Sequence, residues 1–142
     1  MKNIITSCAP HLLAVQDTID VLSGKWKTPI LVSLYMSQQM CFKELKSELK
    51  GISAKVLTKE LRDLEEHKLI SRQVLSGRRI TVQYEITPYG KTLEDVLMMM
   101  LYWGLQHRKE ITGKNNLSVP AREYVCNVRS NLPRRGESVS VL

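Results

Sequence analysis

Long apolar runs are missing from this chain of 142 residues. No stretch reaches the roughly 20 residues a helix needs to cross a bilayer, which excludes a membrane-spanning role. The start, MKNIITSCAPHLL, lacks the charged-then-apolar order of a secretory signal and points to the cytoplasm. Cysteine is scarce: three residues, an odd count spread along the chain, form no disulfide framework and read as reduced thiols. The Cys8-x-x-His11 spacing is followed by no second ligand pair, so no zinc or other metal site is expected. No Gly-rich phosphate loop occurs, and no nucleophile, base and orienting acid come together. Neither enzyme chemistry nor a cofactor is therefore expected. There is a single phenylalanine, Phe42, and it reads as buried, which argues against RNA recognition by stacked aromatics. Internal repeats and low-complexity segments are absent too.

Acids are also in short supply. With 14 acidic against 21 basic residues, the net charge is +7 and the pI about 9.5. Such a balance favours a polyanionic partner, nucleic acid or an acidic membrane surface. The cations cluster. Between Lys43 and Arg79 stand ten basic residues and only six acids. The length suits one domain, and an apolar share of 43% suits a globular protein with an ordinary core.

The most informative stretch is Gly51 to Ile70, GISAKVLTKELRDLEEHKLI. Ser53 is a suitable N-cap, and strong helix formers follow. At about 100° per residue, Leu57, Leu61 and Leu64 fall on one narrow stripe, while Ala54, Lys55, Thr58, Lys59 and Arg62 share a separate arc of about 140°. One face anchors the helix and another offers small, hydroxyl and cationic groups. A helix entering a DNA major groove needs that layout: cations for phosphates and guanine edges, small residues where the approach is close.

The surrounding chain supplies a frame for that helix. Leu12, Val15, Ile19 and Leu22 recur at helical spacing from Pro10 to Leu22, with Pro10 suited to the first helical position. A second helix is expected over Lys25 to Met36, its buried face formed by Trp26, Ile30, Leu31 and Leu34. After a Ser37-Gln38-Gln39 turn, a short helix over Phe42 to Leu49 buries Phe42, Leu45 and Leu49. Gly51 suits its end. Two strands are expected at Ile70–Leu75 and Arg79–Ile86, the second with Ile80, Val82, Tyr84 and Ile86 on one face, joined through a tight Ser76-Gly77-Arg78 link. A short helix, a turn, a cationic helix and a hairpin make a winged helix-turn-helix, with Arg78 and Arg79 at the wing tip placed for phosphates or a minor groove. Thr87-Pro88 starts a last helix, expected to run unbroken to about Glu110. Its middle, VLMMMLYWGL, has almost no polar residue, and a helix apolar all round is buried all round. One small domain has too little core to cover it, so part of it is expected to pack on a second copy of the chain, together with the Pro10–Leu22 helix. Residues 112–142 lose periodicity and read as a tail.

Taken together, several short motifs resemble one family: Gly24-Lys25-Trp26, Phe42-Lys43-Glu44-Leu45, Gly51-Ile52-Ser53 with Leu57, Leu61 and Leu64, Leu69-Ile70-Ser71-Arg72, Tyr84-Glu85-Ile86-Thr87-Pro88-Tyr89-Gly90, and Trp103. As an ordered set over about Cys8 to Glu110, they resemble the HxlR-type winged helix-turn-helix transcriptional regulators of bacteria. The resemblance implies a homodimer joined through its N- and C-terminal helices and bound to an imperfect palindrome of double-stranded DNA near promoters. Three positions depart from the family pattern: Cys41 replaces an arginine, Lys68 replaces a glycine, and the wing lacks the common prolines. Some members sense oxidants or electrophiles through one N-terminal cysteine, and Cys8 sits where that residue lies. Beside a helix N-terminus, with His11 one turn away, a thiol gains thiolate character.

The resulting expectation is a mostly α protein with a small β-hairpin, a winged helix-turn-helix whose N- and C-terminal helices form a dimer interface. Residues 1–111 would make the DNA-binding domain with its dimerisation helices, and 112–142 the tail. The function expected is sequence-specific regulation of transcription as a dimer, in the sense of a repressor, responding to oxidants or electrophiles through Cys8. DNA contacts are assigned to Lys43, Lys46, Ser53, Lys55, Thr58, Lys59, Arg62, Arg78 and Arg79, and the dimer interface to Leu12, Val15, Ile19, Val96, Met100 and Trp103. The competing expectation is a winged-helix module that meets an acidic protein and binds no specific DNA.

Overall fold

The computed structural model describes residues 5–113, with side chains from residue 10 onward. The chain divides into two compact units, the boundary falling between Thr92 and Leu93. The first unit comprises helices α1 (Ile5–Leu22), α2 (Lys27–Ser37), α3 (Phe42–Glu48), α4 (Ala54–Glu66) and the short α5 (Pro88–Lys91), with strands β1 (Gln39–Cys41), β2 (Ile70–Leu75) and β3 (Thr81–Ile86). The second holds α6 (Glu94–Thr112). Mostly helical, with one small antiparallel sheet, the chain has the winged helix-turn-helix architecture its periodicity predicts.

The core of the first unit grows from α2. Ile30, Leu31 and Leu34 are fully buried, as are Leu45 of α3 and the Leu57, Leu61 and Leu64 stripe of α4. Pro29 is the third residue of α2, in the first turn, where no intrahelical N–H partner is lost. At the other end, Gln38 takes a positive φ of 65°, which turns the chain straight out of the helix into β1. That strand was not anticipated. Gln39 belongs to it and not to a turn: the three residues pair with β3 through Gln39↔Glu85, Met40↔Tyr84 and Cys41↔Gln83. Three residues are too few to show an alternating pattern. The sheet order is β1-β3-β2, all antiparallel.

The hairpin differs from expectation at its tip. Pairing runs from Ile70↔Ile86 to Leu75↔Thr81, so the link is the five residues 76–80 and not a tight Ser76-Gly77-Arg78 turn. Arg79 and Ile80 lie in that link; Ile80 leaves the face it was expected to share with Val82, Tyr84 and Ile86 and is 79% exposed.

Two further helices depart from the sequence reading. α1 begins at Ile5, which places Pro10 inside the helix instead of at its first position. Only the N–H partner of the Thr6 carbonyl is lost there. The helix expected from Pro88 to Glu110 is broken into α5 and α6. Thr87 caps α5 by accepting the Gly90 N–H at 2.9 Å, while its own N–H donates to the Leu69 carbonyl at 3.0 Å. Gly90 is pressed onto that same carbonyl: a Cβ there would lie 2.1 Å from the Leu69 oxygen, so no larger residue fits. The Tyr35 hydroxyl donates to the Gly90 carbonyl. These bonds tie α5 and its cap to Leu69, just ahead of β2, and to α2, and the Thr92 N–H closes the helix on Tyr89 O at 3.0 Å. α6 ends at Gly113, φ 66°, whose N–H donates to Lys109 O at 2.9 Å. Within α6 only Leu97 is buried, so a single chain leaves most of this helix uncovered. Among the described residues no helix is long and apolar enough to cross a membrane.

Candidate nucleic-acid interface

The helix-turn-helix is built by local bonds that the sequence specifies. At the start of α3, Cys41 and Glu44 form a capping box. The Cys41 N–H donates to the Glu44 carboxylate at 2.7 Å, and the Cys41 thiol side chain caps the backbone of Glu44 in return. The bonds from the Cys41 backbone N–H and then its side chain hold the Glu44 carboxyl below its ordinary range. Cys41, the residue that stands where the family has arginine, therefore serves as a helix cap. Leu49 and Ile52 are buried on either side of Gly51, whose φ of 94° makes the turn. Ser53 then caps α4, its hydroxyl oxygen accepting the Val56 N–H at 3.2 Å.

α4 ends in a Schellman motif. The Leu69 N–H donates to Leu64 O at 3.0 Å and the Lys68 N–H to Glu65 O at 2.9 Å, with buried Leu64 and Leu69 forming the accompanying apolar pair. Lys68 adopts φ 60° to make this turn. Glycine would meet that requirement without strain, and here a β-carbon is tolerated at a cost.

Between these two caps, α4 turns its cations to solvent. Ala54, Lys55, Thr58, Lys59 and Arg62 are all exposed and, with Asp63, line one shallow open depression. Among the described residues none of Lys55, Lys59 and Arg62 has a carboxylate within 4.0 Å. Thr58 donates its hydroxyl proton to Ala54 O at 2.8 Å. It therefore presents a methyl group and an acceptor lone pair outward, and no free donor. The acids of α4 do not compensate the arc: Glu60 turns one carboxylate oxygen into a buried position without a hydrogen-bond partner, and Asp63 pairs elsewhere.

The partner of Asp63 is a residue the sequence reading passed over. Lys27, at the first turn of α2, is buried and its ammonium lies 3.6 Å from the Asp63 carboxylate. A signal for it exists: Lys27, Ile30, Leu31 and Leu34 stand at i, i+3, i+4 and i+7, the spacing of the α2 core stripe. The apolar stem packs inward and the charged end fixes the flank of α4 against α2.

The remaining candidates are placed as follows. Lys43 and Lys46 are exposed, one turn apart on α3. Arg78 and Arg79 are exposed in the 76–80 link, beyond the last paired residues Leu75 and Thr81. In the sheet behind them Glu85 accepts bonds from Gln73 Nε2 at 2.7 Å and Ser71 Oγ at 3.2 Å, which fix its carboxylate across the β2–β3 pair. On the other two surfaces, Leu12, Val15, Ile19, Val96, Met100 and Trp103 are all exposed, from 42% for Val96 to 64% for Trp103. Trp103 stacks with His107, ring centroids 4.8 Å apart. Cys8 is the fourth residue of α1, within the helix and not ahead of it. Its side chain lies outside the described residues, as do Cys126 and the rest of the tail beyond Gly113. Among the described residues no three His, Cys, Asp or Glu side chains gather to hold a metal ion.

The proteins to which this chain is similar are named as transcriptional regulators. A model of the HxlR-like helix-turn-helix family matches residues 21–112. The chain is 37% identical over 101 residues to the HTH-type transcriptional regulator YtcD of Bacillus subtilis (strain 168), covering 71% of this chain and 79% of that one. Among solved structures, the redox regulator HypR in its reduced form aligns with a TM-score of 0.66 at 30% identity, over 71% of this chain and 99% of that one. The reduced form of the transcriptional regulator YodB from B. subtilis aligns with a TM-score of 0.58 at 31% identity, over 64% of this chain and 88% of that one. The relatives are regulators and not enzymes, and so is this protein. The chain, by its motifs, its fold and these matches, belongs to the HxlR-like helix-turn-helix family of transcriptional regulators.

Proposed function

We propose that this regulator is a homodimer that represses transcription in the cytoplasm by binding an imperfect palindrome through α4. The observation that carries this reading is the exposed arc of α4, where three cations with no carboxylate partner among the described residues and two small or hydroxyl side chains line one depression. Lys59 and Arg62 read guanine edges, the Thr58 methyl meets a thymine methyl, and Ser53 and Lys55 hold phosphates. Lys43 and Lys46 of α3 add phosphate contacts, and Arg78 and Arg79 extend them to the wing. Two copies of α4, joined by the apolar faces of α1 and α6, enter successive major grooves about 34 Å apart. The dimer rests on Leu12, Val15 and Ile19 of α1 and on Val96, Met100 and Trp103 of α6, large apolar side chains that are exposed in the single chain. Residues 1–111 form the functional unit and 112–142 a tail.

The likeness to the redox regulator HypR supports a second element of the reading, regulation through Cys8. Oxidation there joins the Cys8 sulfur to a second thiol as a disulfide; the oxidant, such as diamide, takes up the two electrons and two protons.

A gel shift of the full chain on its own upstream DNA, across a salt series, tests the first element. Binding should weaken steeply with salt yet keep its preference over scrambled duplex. Arg62→Ala should cost about 1–3 kcal/mol and relax specificity at one base pair. An unchanged sequence preference would remove Arg62 from base readout, and salt-sensitive binding without preference would favour the protein-interaction module. For the second element, promoter affinity before and after diamide is compared in the native chain and in Cys8→Ser. Equal responses remove Cys8 from the mechanism.

A further inference from the structure

Among the described residues the most exposed large apolar side chain is not on a helix face but at the wing tip. Ile80 is 79% exposed, directly after Arg78 and Arg79, which are exposed as well. The two ends of the tip are fixed: strand pairing persists to Leu75↔Thr81, so only residues 76–80 bridge the two strands. A neighbouring wing is a poor occupant for this surface, because two tips that each carry Arg78 and Arg79 repel. The charge instead matches the minor groove, whose narrow A·T-rich form concentrates negative potential and attracts arginine. The reach matches too. β2 follows α4 after the three residues 67–69 and runs six residues, or about 20 Å, to the tip. The minor groove next to a recognised major groove lies half a helical repeat away, about 17 Å.

We infer that Ile80 is an apolar wedge: when α4 occupies the major groove, the wing tip enters the adjacent minor groove, Arg78 and Arg79 hold its phosphate walls, and Ile80 seats against the base edges and sugars and opens one base step. This rests on the DNA-binding reading above and adds a second source of specificity to it. A pyrimidine–purine step such as TA unstacks most readily, so the operator should carry one beneath each wing, at a position that no polar side chain reads.

The test uses the full chain and the duplex it enriches most strongly from a random pool. Affinity is measured by fluorescence anisotropy, and bending by energy transfer between end labels, for the native chain, Ile80→Ser, Ile80→Leu and Arg79→Ala. Ile80→Ser should lose about tenfold in affinity, flatten the bend and lose the preference for TA beneath the wing. Its salt dependence should stay that of the native chain, since no phosphate contact is removed. Ile80→Leu should keep all three properties. Arg79→Ala should do the reverse of Ile80→Ser, lowering the salt slope and keeping the step preference. If Ile80→Ser binds, bends and discriminates as the native chain does, the wedge is wrong and DNA reading by α4 stands. If the native chain enriches no duplex at all, both fall.

Discussion

α4 and α6 both carry proposed interfaces, and they solve burial in opposite ways. α4 sorts its residues: Leu57, Leu61 and Leu64 are all buried, while the arc from Ala54 to Arg62 is exposed. In α6 almost every residue from Val96 to Leu105 is apolar, yet only Leu97 is buried and Val96, Met100 and Trp103 stand in solvent. A sorted helix tells a single chain where the core is and leaves a chemically distinct face for a partner. An unsorted apolar helix gives no such instruction, and its surplus face suits a second copy of the same protein.

Substitutions on the two helices sharpen this contrast. Leu61→Ala should have the largest effect, a loss of about 3 kcal/mol in urea unfolding from the cavity it opens. The size of that loss should not depend on protein concentration. Trp103→Ala should cost about 2 kcal/mol and do so in self-association, seen by sedimentation equilibrium, with the fold of the first unit intact. Should Trp103→Ala leave the association state unchanged, α6 is not the contact between copies and the contrast loses its meaning. A smaller effect is expected at Lys27, which connects the sorted helix to α2. With Asp63 one third exposed, Lys27→Met should cost only about 1 kcal/mol, far less than breaking a fully buried pair. It should also weaken DNA binding by loosening α4, so an affinity equal to that of the native chain would deny Lys27 a positioning role. Lys68→Gly should be the mildest and of opposite sign. Relief of the positive φ at the end of α4 should stabilise the chain by about 0.5–1 kcal/mol, readable as a small rise in Tm.

The parts that were legible from sequence share a local cause. β2 was placed at Ile70–Leu75 with its observed ends, and the start of α4 was fixed by the Ser53 cap, because caps and periodicity act over four to eight residues. The Thr87-Pro88 start was equally plain, and the cap bond to Gly90 is present. Errors arose where distant residues decide. The break after Lys91 comes from Gly90 lying on the Leu69 carbonyl, a contact between positions 21 apart in the chain. β1 exists because Tyr84 and its neighbours supply a pairing edge for Met40, and three residues of strand have no pattern of their own. Ile80 was assigned to a strand face by alternation alone, but the hairpin register ends one residue short of it. The place of Lys27 on the α2 stripe signals its burial, but its pairing with Asp63 arises only when packing brings α2 and α4 together.

By itself the sequence determined the family, the succession of helix, turn, cationic helix and hairpin, and the identity of the exposed cations. Each follows from residue type and short-range spacing, which survive in an unfolded chain. Tertiary structure decided which of those cations stay unpaired, how far the wing projects before Ile80 is released, and which apolar side chains remain in water. These outcomes depend on how much surface neighbouring elements cover, a quantity that exists only once the chain has packed.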